Sequence, residues 1–529
     1  MKIDAKFWVT LMVGFSLCLT GCIPGPVKEY WDHGMKVGPE YSKPPAPVSF
    51  DWIDKDDTRI RTDPEEHRNW WKNFNDPNLD ELICFATKQN LNLKQAGYRV
   101  MASRADLAIA MGQFMPQSQS MTSGFTQYGL STAVANRSFK GVDLIPQNYY
   151  PQYSFGFNMA WELDFWGRYR RAIESSSDQL DASIENYDEV MVSMLGDIGE
   201  HYVIYRYCER VVELLRENIE YQKISLQVAK AKFTAGLSSE LDVDQAQSDL
   251  SYIEASVHMF LRFQRLENNT LCTLLGISPE DLGKKLTKKG IPVPPKDVAI
   301  GIPAQLITRR PDVRMAERQA AAQCAKIGVA MSELFPHLYI NGSFGYNAMN
   351  NTAMFTSPAA YGTIGPGLSW NIFNYGRLLN NVKMQDANFQ VNVAKFQQSL
   401  VGAGKEVENA IVEYVKSGDA INEMAVSVAS IRKASDIVIV QYKAGTADFN
   451  RVSLVQEKRI SREMELVLYQ QTHARGMVNI YKSLGGGWQV RLDGCEEGGL
   501  IAGEPKELPL PKTEILRPLP DSKLEEPKK

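Results

Sequence analysis

Trp161-Glu162-Leu163-Asp164-Phe165-Trp166-Gly167-Arg168 returns as Trp370-Asn371-Ile372-Phe373-Asn374-Tyr375-Gly376-Arg377, 209 residues later. The same interval carries Phe233-Thr234-Ala235-Gly236 onto Tyr442-Lys443-Ala444-Gly445, and Val243 and Gln247 onto Val452 and Gln456. A repeat of this length without insertion is a stiff element of fixed length, duplicated, and a duplication of that size sets the architecture. Arg168 to about Thr234 holds no proline and two interior glycines, Gly196 and Gly199; Arg377 to about Ala444 holds no proline either. At ~1.5 Å per residue each stretch predicts a helix about 100 Å long. Each ends on a glycine turn, Ala235-Gly236-Leu237 or Ala444-Gly445-Thr446, where glycine suits a left-handed C-cap. Ser239 and Asp448 then serve as N-caps of returning helices that run to about Leu275 and Leu484. These are about half as long. Two amphipathic helices, Leu91 to Gln113 and Pro311 to Glu333, supply the missing length, so a long helix lies beside two short ones stacked end to end, twice.

The amphipathic pair is related by 220 residues, with Ala105, Ala110 and Met111 matched by Ala325, Ala330 and Met331. The longer spacing places an insertion in the first copy, in the Asn-, Gly- and Pro-containing loop from Ser131 to Tyr150. Between each helix and the repeated tryptophan the period changes to two. Tyr153, Phe155, Phe157, Met159, Trp161 and Leu163 alternate with Ser154, Gly156, Asn158, Ala160, Glu162 and Asp164. Leu338, Ile340, Phe344 and Tyr346 alternate with Tyr339, Asn341, Ser343 and Gly345; Ile364, Pro366, Leu368, Trp370 and Ile372 follow the same rule. Strict alternation predicts strands. A fourth, near Met121 to Leu130, alternates poorly and rests on the repeat alone.

Strands of roughly 9–11 residues, apolar on one face and small or polar on the other, suit an outer-membrane barrel with a wet lumen. A half-buried sheet in a soluble domain is the other reading. Four strands do not close such a barrel, which needs about eight, and lipid tolerates no open sheet edge. A membrane location therefore requires oligomerisation, with eight strands from two copies or twelve from three.

The N-terminus has a charged start at Lys2 and Lys6, an apolar run from Phe7 to Leu19, and Leu19-Thr20-Gly21-Cys22. This pattern is a cleaved export signal, not an anchor helix. The ending resembles a bacterial lipobox, which implies cleavage before Cys22, lipidation of its thiol and amino group, and sorting to the outer membrane because Ile23, not aspartate, follows. Several acyl chains make a stable anchor where one is marginal. After residue 25 no apolar run is long enough for a transmembrane helix. The net charge of −4 gives no reason to expect a nucleic-acid partner. The seven cysteines are scattered without a CxxC pair, and the six histidines are isolated; neither a disulfide framework nor a metal site is expected.

Together these marks resemble the TolC-like outer membrane efflux proteins, and within them the lipoprotein branch called NodT-like. The resemblance runs from about residue 37 to 488. It is carried by Val37-Gly38-Pro39-Glu40-Tyr41, Trp70-Trp71 with Phe74 and Asp76-Pro77, and Leu163 to Arg168. Gly301-Ile302-Pro303, Arg309-Arg310-Pro311-Asp312, Phe335-Pro336 and Leu484-Gly485-Gly486-Gly487-Trp488 complete it. It implies an α+β membrane protein: a homotrimer whose twelve-stranded β-barrel, four strands per chain, continues into a twelve-helix periplasmic α-barrel. Its implied partners are a periplasmic adaptor and an inner-membrane transporter, and the duct itself is passive, with no cofactor beyond the lipid and no catalytic role.

The family pattern further implies that Gly236, Leu237, Gly445 and Thr446 form the adaptor-contacting tip turns. Asp242 and Tyr442 match a pair whose hydrogen bond holds the inner helices together. The match is partial. Ala447 stands where an arginine is expected, and the carboxylates that ring the constriction in relatives fall at Arg451 and Leu454. Arg451 either lines the aperture and favours anions, unless Glu457 neutralises it, or is a solvated surface residue.

The expected division is a signal peptide (1–21), an extended lipid-anchored tether (22–76), two repeats (77–285 and 286–488) and a Pro-rich, charged, disordered tail (489–529). Two alternatives compete with efflux: a type I protein-secretion duct, and a structural coiled-coil lipoprotein that spaces two membranes.

Overall fold

The structure is a computed structural model that describes residues 30–31, 33–61, 67–129, 131, 138–139, 142–143 and 149–495. Its helices include α1 (Pro77–Gln89), α2 (Leu91–Phe114), α3 (Arg168–Thr234), α4 (Glu240–Leu274), α5 (Pro311–Ser332), α6 (Arg377–Lys443), α7 (Phe449–Ser483) and the short α8 (Val490–Asp493), with a further single turn at Leu306–Arg309. The long strands are β1 (Ser118–Gly129), β2 (Tyr149–Leu163), β3 (His337–Ala348) and β4 (Ala360–Ser369). Both long helices have 67 residues and both returning helices have 35. In each repeat a long helix is therefore matched in height by two shorter ones stacked end to end.

Packing arranges the helices in four columns. α2 and α4 stack end to end beside α3; α5 and α7 stack between α3 and α6. Each column takes its place because its apolar stripe must meet another. Among the described residues the two outer columns, α2 with α4 and α6 alone, each keep one side without a neighbouring helix.

The sheet is an antiparallel meander in the order β1-β2-β3-β4. Register sorts its residues onto two faces. Met121, Phe157 and Phe344 are cross-strand partners, as are Phe125 with Tyr153 and Phe155 with Tyr346. The opposite face aligns Thr122, Gly156 and Gly345, and Ser120, Asn158, Ser343 and Thr363. One face is thus aromatic and aliphatic, the other small and polar. β1 alternates least because Gln119, Ser123 and Gln127 sit on the apolar face. β4 stops at Ser369, so Trp370 and Ile372 lie beyond the strand in which the alternation placed them. The inserted loop carries a small hairpin, Ser138–Phe139 with Val142–Asp143.

A large core lies at mid-height, where Trp70, Trp71 and Phe74 pack on Leu195, Ile198, Tyr202, Met477, Val478 and Tyr481. A Cβ on Gly199 would fall 3.0 Å from the Trp70 ring and 3.1 Å from Val478, so glycine there permits the close approach of these elements to α3.

Three expectations need correction. The cysteines do form a disulfide: Cys84 of α1 joins Cys495 across 411 residues, with Cα atoms 5.5 Å apart. The tail does not begin at 489, because Val490 is buried and Arg491 pairs with Asp188 at 2.8 Å. The N-terminal segment is docked on the repeats: buried Arg171 donates to the carbonyls of Val37 and Gly38 and to Glu40, and Ile60–Arg61 pairs in parallel with Val298–Ala299. Cys22 and residues 496–529 lie outside the described residues. In each correction a long-range contact decides, and spacing along the chain holds no record of it.

Candidate channel gate and barrel junction

The end of the molecule farthest from the sheet is built by the two glycine turns. Gly236 and Gly445 have φ of +71° and +79°, a conformation that costs glycine little and other residues about 1 kcal/mol or more. In both turns the last helical carbonyls are satisfied in the same way. Leu237 N–H donates to Lys232 at 2.8 Å and Thr446 N–H to Gln441 at 2.9 Å, the pattern of a Schellman cap. Asp448 caps α7 through the Arg451 N–H at 2.9 Å, whereas the Ser239 side chain makes no cap bond. Leu237 is exposed beside its turn.

Just inside the turns, all four helix ends share one apolar cluster. Leu226 and Ala229 of α3, Ala246 and Leu250 of α4, Val438 and Tyr442 of α6, and Phe449 and Val452 of α7 are buried together. The two hairpins are therefore packed on each other at the tip. Lys232 crosses between them: its ammonium donates to the Tyr442 carbonyl and lies 4.0 Å from the centroid of the Tyr442 ring. A cation at the C-terminal end of α6 is favoured by the helix dipole as well as by the ring.

The Asp242–Tyr442 hydrogen bond implied by the family pattern is not formed. The Tyr442 hydroxyl is buried without a hydrogen-bond partner, and burial, then the nearby Asp242 carboxylate, raises its pKa. Arg451 is exposed, and among the described residues its side chain forms no ion pair with Glu457.

Above the tip a polar seam links the hairpins. Ser453 donates to Asp249 at 2.6 Å, Gln456 to Ser225 at 2.8 Å, and Asn218 to Glu463 at 3.0 Å. Glu463 is buried and also receives Arg432 at 2.6 Å and Arg459 at 3.3 Å. Burial alone would raise its pKa, but hydrogen bonds from Arg432 and Asn218 and both arginine charges hold it below the usual carboxylate range. Sequence reasoning missed this seam. Ser453, Gln456, Arg459 and Glu463 recur every three or four residues along α7, which reads like a solvated helix face.

At the other end of the long helices the chain passes from helix to sheet. Asp164 accepts the N–H groups of Tyr169 and Arg170 at 3.0 and 3.1 Å and so caps α3, while Gly167 turns the chain at φ +80°. Trp166 stacks on Phe335 with ring centroids 4.5 Å apart and donates to the Pro336 carbonyl at 2.8 Å. Arg168 bridges Glu162 at 3.1 Å and Glu333 at 3.0 Å, and His337 meets Glu162 at 2.7 Å. The two repeats are thus joined at the base of the sheet by a stack and an ion network. Among the described residues no group of three or more His, Cys, Asp or Glu is arranged to hold a metal ion, and no helix is long and apolar enough to cross a membrane.

Residues 82–277 and 302–486 match the outer membrane efflux protein family. The chain belongs to that family. This efflux protein is 28% identical over 470 residues to the solvent efflux pump outer membrane protein SrpC of Pseudomonas putida, a match covering 86% of this chain and 96% of that one. It is 28% identical over 441 residues to nodulation protein T of Rhizobium leguminosarum bv. trifolii, covering 82% and 87%. Among solved structures it resembles the outer-membrane channel OprN, with a TM-score of 0.78, 29% identity, and coverage of 86% of this chain and 99% of that one. The efflux protein is accordingly an outer membrane exit duct of the TolC-like kind, seated in the outer membrane and reaching into the periplasm.

Proposed function

We propose that three copies of this efflux protein close into a ring. Twelve strands then form the outer-membrane barrel and twelve helix columns the periplasmic tunnel, through which small molecules leave passively. The observation that carries this reading is the pair of unpaired edges. β1 and β4 each have one neighbour, and the apolar face of the sheet requires lipid that no open edge survives. The apolar face meets lipid, and the row of Ser120, Asn158, Ser343 and Thr363 lines the lumen.

Cys22 carries the lipid that fixes each chain to the membrane. At the tip Asp242, Tyr442 and Arg451 lie at the aperture, and Gly236, Leu237, Gly445 and Thr446 meet a periplasmic adaptor that connects the duct to an inner-membrane transporter. The energy source resides in that transporter. Solvents, toluene and pyoverdine appear in the names of relatives as exported cargo, which supports small organic molecules over a secreted protein as the load here.

Purified trimers in a planar bilayer test the reading. Ion conductance is expected, and Arg451→Asp shifts its selectivity toward cations. Folded trimers that never conduct would exclude a duct and favour the structural-lipoprotein alternative. Deletion of the gene, scored for sensitivity to solvents, dyes and antibiotics, tests the cargo class.

A further inference from the structure

The internal repeat makes each chain a record of its own assembly. Within the chain, α3 of the first repeat packs on α5 of the second. The 209-residue interval carries α3 onto α6, and the 220-residue interval carries α5 back onto α2. Among the described residues α6 and α2 form the two outer edges and do not pack on each other within one chain. In a ring of these chains, α6 of one copy faces α2 of the next.

The residues at the edges support that match. Ser175 and Ala182 of α3 are 6% and 1% exposed; their counterparts on α6, Met384 and Val391, are 53% and 51% exposed. Ala321 of α5 is 2% exposed and its counterpart on α2, Met101, is 63% exposed. These three positions, small and buried at the internal seam, are larger, apolar and open at the edge. Solvent gives no reason to enlarge an apolar side chain, whereas a partner surface does.

One contact stands out. Trp166, stacked on Phe335, corresponds to Tyr375, and Phe335 corresponds to Met115. Tyr375 is 100% exposed, with its backbone held at φ +52°, and Met115 is 61% exposed. A bulky aromatic fixed in a left-handed conformation without any neighbour is an unexplained cost for a lone chain. Arg168, which reaches Glu333, likewise corresponds to exposed Arg377, and Glu333 to exposed Gln113, an acceptor that suits a guanidinium.

We infer that Tyr375 docks on Met115 of a neighbouring copy as the anchor of the subunit interface, with Arg377 reaching Gln113 beside it. The ring of packing α6 on α2 then repeats the internal packing of α3 on α5. The aromatic ring against a thioether replaces the internal Trp–Phe stack. This inference rests on the trimer proposed above, and the test separates the two.

Trimers carrying Tyr375→Cys and Met115→Cys, treated with a mild oxidant or a short bismaleimide, are expected to run as covalent dimers and trimers on denaturing gels. Each single variant stays monomeric there. Trimers that assemble but do not cross-link overturn the contact, whereas a wild-type chain that stays monomeric in mild detergent overturns the ring itself. Should the paired variant fail to assemble, a photoactivatable benzoylphenylalanine at position 375 replaces it. A cross-linked peptide containing Met115 supports the contact, and one from anywhere else overturns it. Tyr375→Ala should lower the trimer dissociation temperature and Tyr375→Trp restore it, while the far-ultraviolet spectrum of all variants stays unchanged.

Discussion

The indole Nε1 of Trp161 donates to the carbonyl of Phe114 at 3.3 Å, and that single bond ties the end of a strand to the end of the helix before it. It is made twice. Trp370 donates to Leu334 at 3.0 Å, and both donor and acceptor are related by the intervals of the repeat. Each bond satisfies a carbonyl that a terminating helix leaves open, so the repeated tryptophan of the duplicated stretch fixes the angle at which helix becomes strand. Trp161→Phe and Trp370→Phe should each cost about 0.5–1.5 kcal/mol, the range for one neutral hydrogen bond. The double variant should be additive because the two bonds share no partner. Denaturant unfolding of the trimer measures both.

The buried carboxylate of Glu463 gives a sharper expectation. Glu463→Leu leaves Arg459 buried and without its strongest counter-charge, which should cost roughly 3–5 kcal/mol. Arg432→Met should cost less, since Arg432 is largely exposed and Arg459 still pairs with the carboxylate. Comparing the two unfolding midpoints decides it; equal losses would mean that burial of Glu463 is unimportant.

His67 sets an acid limit. Burial, then the Arg309 charge, lowers its pKa to about 4, and it packs near Tyr481 with ring centroids 5.2 Å apart. Above the ordinary value of ~6.5 the imidazole is neutral in both states, and stability is complete. As pH falls from there toward 4 the unfolded chain takes up a proton that the folded one refuses, so stability declines across that window. His67→Phe should flatten the decline between pH 6.5 and 4, read from thermal midpoints at half-unit steps.

The Cys84–Cys495 disulfide ties the end of the described chain to α1. Cys84→Ser with Cys495→Ser should lower stability by about 2–5 kcal/mol. Reductant should bring the wild type down to the level of the variant and leave the variant unaffected. Peptide mapping with and without reduction identifies the bond directly.

Adjacent residues of β2 test which face meets lipid. Phe157→Lys places a charge on the apolar face and should cost roughly 2–4 kcal/mol of membrane stability. Asn158→Lys, one residue along and on the opposite face, should assemble normally and shift conductance toward anions. Heat-modifiable mobility on gels reports folding of both variants.

Much of this protein follows from periodicity. Helix length is set by where proline is absent and where a glycine turn ends the run, and strand facing by alternation. The two intervals of the repeat expose the one inserted loop. These are local properties, and the sequence determines them because backbone geometry converts spacing into height and side. The polar stripe of α7 marks the limit. Ser453, Gln456, Arg459 and Glu463 are buried, yet the residues 209 earlier in α4, Asp244, Gln247, Leu250 and Glu254, are all exposed apart from Leu250. The difference lies in neighbours: α7 sits between α3 and α6, whereas α4 packs chiefly on α3 and touches α7 along one edge. The contact of Lys232 with Tyr442, the docking of Val37 and Gly38 on Arg171, and the union of Cys84 with Cys495 belong to the same class. Each joins residues more than 100 positions apart, and the local periods of helix and strand do not reach that far. The sequence by itself determined the elements, their lengths and their two faces; only the tertiary structure decided which polar face is interior, because burial depends on what packs opposite.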